Sequence, residues 1–157
     1  MANQGIRGFY QITETIKDEL LSNDFVNTVT TGDITDIDLS KQTIYPLSHI
    51  IINQATVEEQ VLRFSISVLS MDIVEQSKEA TTDIFRGNNN EHDVLNTQLS
   101  VVNKLVQKLR IGTLYRDKYQ LEGSPTCEPF TDRFEHQVAG WACSFDVIIE
   151  NDINVCS

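Results

Sequence analysis

From Val61 to Val74 the chain alternates apolar and polar residues for longer than most strands last. Leu62, Phe64, Ile66 and Val68 fall on one side, Arg63, Ser65 and Ser67 on the other. A two-residue period is that of a strand with one buried face. Beyond Val68 the phase inverts, with Leu69, Met71 and Ile73 apolar and Ser70 and Asp72 polar. A one-residue slip moves side chains to the opposite face. The segment therefore predicts either a β-bulge near Val68-Leu69 or burial of both faces there. Its length predicts a projecting hairpin, with a bent core strand as the other compatible form.

Two helices frame this strand in the sequence. Ile6, Phe9, Ile12, Ile16 and Leu20 recur at three- and four-residue spacing and predict a helix over about 6–22. The second helix begins at an Asn89 or Asn90 cap, with Glu91 and Asp93 in its first turn. Its apolar stripe is Leu95, Leu99, Val102, Val106 and Leu109, widened by Val94, Val101 and Leu105, and Gly112 stops it. Strands are expected around VNTVTT, over 43–53 with Pro46 marking its start, a bulge or a sheet edge, and briefly over Lys118–Leu121. Ala55 to Glu59 reads as a turn. Residues 76–90 read as a mobile loop with Ile84 and Phe85 as its apolar foothold, and GSPTCEPFTDRFEHQVAG as a connecting loop. Trp141 to Glu150 alternates as a half-buried antiparallel strand, and Gly140 before it suggests a bulge or tight turn. Runs of strands with only two helices predict an α+β fold. The expectation is one domain over 1–157: a mainly antiparallel sheet with two amphipathic helices on one face, one long projecting hairpin strand and a short flexible tail at 153–157.

Charge narrows the function classes. The formal net charge of −11 repels nucleic acid over most of the surface. Lys104, Lys108, Arg110, Arg116 and Lys118 nevertheless cluster, which suits an acidic neighbour such as Asp33, Asp36 and Asp38 of another copy. A solvated helix end, with cations favoured by the macrodipole, accounts for the cluster equally well. DITDIDLSK lacks the glycine and terminal glutamate of a calcium loop, so no metal site is expected there. His49, His92 and His136 have no second ligand at helical spacing, and no nucleotide-binding or hydrolase motif occurs. No cofactor is expected. Cys127, Cys143 and Cys156 form no C-x-x-C pair and read as a buried Cys143 with two free thiols. The one enzymatic alternative is a small cytoplasmic thiol enzyme using Cys127, with His136 as base and Glu135 to orient it. No apolar run approaches the ~20 residues of a membrane span, so no membrane role is expected.

NEHDVLNTQLSVVNKLVQKLR (90–110), YQLEGSPTCEPFTDRFEHQVAGWACSFDVIIENDI (119–153) and IYPLSHIIIN (44–53) with the strand after it resemble small virion proteins of tailed bacteriophages. The element order is similar to that of tail-terminator, or tail-completion, proteins. The resemblance implies a structural protein of the neck and tail junction, assembled in the host cytoplasm into the virion. It implies a homo-oligomeric ring, taken here as a hexamer or dodecamer, with other neck and tail proteins as partners. DNA is then passing cargo and no catalysis is expected. A head-side connector, a collar or a tail-tube-like subunit are the structural alternatives. Interface candidates are the basic and acidic residues named above together with Ile84, Phe85, Phe130 and Arg133.

Overall fold

A computed structural model of the chain describes residues 4–33, 42–75, 84–85, 89–111, 119–133 and 137–150. In chain order the elements are α1 (Gln4–Leu21), β1 (Thr28–Thr31), β2 (Leu47–Val57), β3 (Val61–Ile73), α2 (Glu91–Ile111), β4 (Gln120–Arg133) and β5 (Gln137–Glu150). A short 3-10 turn, Gln42–Ile44, precedes β2. The strands form one sheet in the order β1-β2-β3-β5-β4, antiparallel except for the β1–β2 pair. The fold is α+β.

Both helices lie on one face. Ile12, Ile16 and Leu20 of α1 are buried with Val101, Val102, Leu105 and Leu109 of α2 against Leu62, Phe64, Ile66 and Val68 of β3. Cys143, Phe145, Val147 and Ile149 of β5 complete that cluster. Trp141 ties β5 to α2 by donating from Nε1 to the Leu95 carbonyl at 2.7 Å. Two residues expected in the helical stripes leave the core: Phe9 is 54% and Leu99 38% exposed. On α2 the buried position is taken instead by Gln98, which meets the polar Ser70 of β3.

The long strand β3 does not project. It is the central strand, paired with β5 at every position from Val61↔Glu150 to Ile73↔Val138. That ladder has no bulge at Val68-Leu69; the phase inversion is answered by burial on both faces. Met71 and Val138 join Leu47 and Tyr45 in a second cluster on the face away from the helices, with Leu69, Ile73 and Phe130 packed against it. Beyond that cluster the face is mixed: Ser67 and Ser144 share a hydrogen bond at 3.0 Å, Arg63 pairs with Glu58 and Glu122, and Ile51 and Ile148 are half-buried beside them. The register shift lies instead in β2, between Ile52 and Gln54, and β2 continues to Val57 through the segment expected as a turn.

The expected connecting loop is also a strand. β4 runs from Gln120 to Arg133 at the sheet edge, where Pro129 stands opposite Trp141 and its lack of an N–H is tolerated. Gly123-Ser124-Pro125 form the irregularity between Glu122 and Thr126, with Gly123 at φ 70°. Gly140 is neither bulge nor turn. It sits in regular β5 opposite Met71, where a Cβ would run into the Ser70 carbonyl and lie 2.8 Å from Met71 Cα.

Candidate functional site

The outer flank of α1 is the most apolar exposed helical surface among the described residues. Gly8 sits close against the sheet: a Cβ there would be 3.0 Å from Ile149 Cδ1 and from Leu62 Cδ1. Seating α1 on that glycine turns the next two side chains outward. Phe9 and Tyr10 are 54% and 62% exposed, their rings edge-to-face with centroids 6.4 Å apart. Further along, Leu21 is 43% and Phe25 53% exposed. Asn23 is buried, and its Oδ1 accepts from the Phe25 amide at 3.0 Å, which fixes the chain carrying that ring. At 1.5 Å rise per residue Leu21 stands about 18 Å from Phe9 along the helix axis, and Phe25 follows beyond the helix end. Lys17, Glu14 and Asp18 are exposed between them.

Lys104 and Arg110 are exposed on α2. Lys108 is held within the chain, its Nζ 3.3 Å from Glu19 Oε1 of α1. That ion pair lacks the alignment of a hydrogen bond. Asp33 is exposed after β1, and Asp36, Asp38, Arg116 and Lys118 lie outside the described residues. Ile84 and Phe85 are 94% and 81% exposed, and the Phe85 ring stands 5.3 Å from that of His92. Phe130 is partly buried against the second cluster, and Arg133 ends β4 opposite Gln137.

Buried polar groups are mostly paired within the chain. His49 is fully buried. Its Nε2 donates to the Gly32 carbonyl at 2.8 Å, and its Nδ1 accepts from the Thr30 hydroxyl at 2.8 Å. In this tautomer the ring is neutral, the form that burial favours. Burial lowers the imidazole's pKa below its ordinary value, against the raising effects of the Gly32 carbonyl and Asp33. His49 therefore fastens the edge strand β1 to β2 and is not a free base. Asp72 is shifted up by burial and, less, by Glu75, against the hydrogen bond from the Ile73 amide. Ser70 Oγ donates to Gln98 Oε1 at 2.6 Å, leaving Gln98 Nε2 and the neighbouring Ser48 Oγ without partners. Among the described residues no group of three or more His, Cys, Asp or Glu could hold a metal. No helix among them is long and apolar enough to cross a membrane.

Cys127 meets a thiol. It lies directly opposite Cys143 on β5, with the two sulfurs 2.9 Å apart and both cysteines free. Cys143 is fully buried, and burial, with the Cys127 neighbour, pushes its thiol well above the usual range. The base and orienting group of the thiol-enzyme alternative, His136 and Glu135, lie outside the described residues, as does Cys156.

No protein-family model matches the chain, and no curated protein matches it. Two features escaped sequence reasoning, the α1 flank and the cysteine pair. The flank had a signal: Tyr10, Thr13, Lys17 and Leu21 form a second row at helical spacing beside the core stripe.

Proposed function

We propose that the chain is a structural subunit of a tailed-phage particle that forms a ring at the neck and tail junction, in the manner of a tail terminator or tail-completion protein. The observation that carries this reading is the α1 flank. Phe9, Tyr10, Leu21 and Phe25 are all between 43% and 62% exposed on one small domain. Phe9 and Tyr10 make an exposed aromatic pair, and aromatic side chains are enriched where proteins contact one another. A ring needs heterologous contacts, in which one surface of a subunit meets a different surface of the next. The flank supplies one such surface. Lys104 and Arg110, exposed on α2, supply charge for another that meets acidic groups of the neighbouring copy. The resemblance to small virion proteins points the same way, and the α+β layout is the one it implied. A net charge of −11 suits a lumen through which DNA passes without binding. In this role no side chain is asked to do chemistry.

Sedimentation velocity and native mass spectrometry over a wide concentration range test the proposal. The wild-type chain is expected to form a closed oligomer of six or twelve copies. Phe9→Ser with Tyr10→Ser is expected to shift it to monomer while circular dichroism stays unchanged. A wild-type chain that stays strictly monomeric at millimolar concentration overturns the ring. A ring that survives the double substitution removes the α1 flank as its carrier.

A further inference from the structure

We infer that Cys127 and Cys143 form a redox latch, closing to an intrachain disulfide that fastens the edge strand β4 to β5. Three observations carry this. The two residues are direct partners in the β4–β5 register, with their sulfurs 2.9 Å apart, so a bond forms without moving either strand. Access is unequal: Cys127 is partly exposed and Cys143 fully buried, so an oxidant reaches one thiol first. The latch also sits beside the one break in this ladder. The Gly123–Pro125 irregularity lies just before Thr126 and Cys127, while pairing runs unbroken from Thr126 to Arg133. An edge strand next to such a break opens more readily than the central strands of its sheet.

The oxidant is a small disulfide such as oxidised glutathione. The Cys127 thiolate attacks one of its sulfurs, forming a mixed disulfide and releasing one glutathione thiolate. Cys143 then gives up its proton to solvent base and attacks the Cys127 sulfur, expelling the second glutathione thiolate. Two protein thiols are oxidised and one glutathione disulfide is reduced to two thiols. Burial holds the Cys143 proton tightly, so the second step is the slow one and accelerates as pH rises.

The test uses the full chain carrying Cys156→Ser, which leaves only this pair. After incubation with oxidised glutathione, intact mass and peptide mapping are read together with hydrogen exchange of the β4 amides bonded to β5. The expected result is loss of the mass of two hydrogens, a Cys127–Cys143 crosslinked peptide, and exchange slowed about tenfold or more. Adding Cys127→Ser is expected to abolish both changes. Two free thiols after oxidation overturn the inference, as does a glutathione adduct on Cys127 that never resolves. A disulfide that forms and leaves β4 exchange unchanged overturns the latch.

Discussion

Gly140→Ala should be among the most damaging single-methyl additions in this protein. The added Cβ would collide with the Ser70 carbonyl and lie 2.8 Å from Met71 Cα, both backbone atoms of the central strand. No flexible side-chain end can give way, so β3 and β5 must separate where their ladder is continuous. Overpacking ordinarily costs about 1–3 kcal/mol, and a backbone obstacle puts this site at the top of that range, about 3 kcal/mol. Unfolding entropy of about 2.1 cal/mol/K per residue over 157 residues gives roughly 0.33 kcal/mol/K, hence a midpoint about 9 °C lower. Two other glycines calibrate the argument. Gly123→Ala meets open space but sits at φ +70°, so about 1 kcal/mol is expected from left-handed strain alone. Gly8→Ala meets only the ends of Ile149 and Leu62 at 3.0 Å, and its helix-propensity gain of ~1 kcal/mol offsets the crowding. Urea unfolding followed by circular dichroism ranks the three. A Gly140→Ala loss below that of Gly123→Ala would refute the close-approach reasoning.

Met71→Ala should cost about 2–3 kcal/mol by urea unfolding, because Met71 is 3% exposed in the second cluster; a loss under ~0.5 kcal/mol would mean that face is solvated. Ser70→Ala strips Gln98 of its remaining partner and should cost about 1–3 kcal/mol, while Gln98→Met should be close to neutral; a larger loss in Gln98→Met than in Ser70→Ala would count against that reading. His49 titrates below its ordinary 6.5 in the folded chain. The unfolded state therefore binds more protons as pH falls through 6.5, and stability should drop there on acidification. Asp72, raised above 3.8, contributes with the opposite sign, gaining stability as pH falls into its window. Equilibrium unfolding of an Asp72→Asn background between pH 7 and 5 isolates the histidine; stability that rises on acidification there contradicts a neutral, buried His49.

Period was the legible part of this sequence, and punctuation the misleading part. α1, α2, β3 and β5 all stand where three-to-four or two-residue spacing put them, because each buries one face in a shared core. The inverted phase of β3 was visible in Leu69, Met71 and Ile73, but a bulge and a second buried face leave the same mark in one strand. Only the partners Leu47 and Val138, distant in sequence, decide between them. Phe9 sat at an angle compatible with the core stripe. Its exposure depends on how closely Gly8 approaches Ile149 and Leu62, a tertiary distance that helical periodicity does not encode.

The cysteine pair was hidden by prolines. Pro125 and Pro129 read as breakers, so the segment looked like a loop in which Cys127 could seek a nearby histidine. A proline excludes only a central strand; at an edge, its missing N–H faces solvent and the ladder survives. Once β4 is extended past Pro129, the rest follows from counting. Arg133 pairs with Gln137, and an antiparallel hairpin moves both partners outward one residue at a time. Six steps back along β4 and six forward along β5 reach Cys127 and Cys143. The same count sets Phe130 opposite Gly140, on the face away from the helices, where it packs against the second cluster. The residue that first suggested a nucleophile in a loop is thus a rung in a ladder, and its chemistry is that of the thiol across from it.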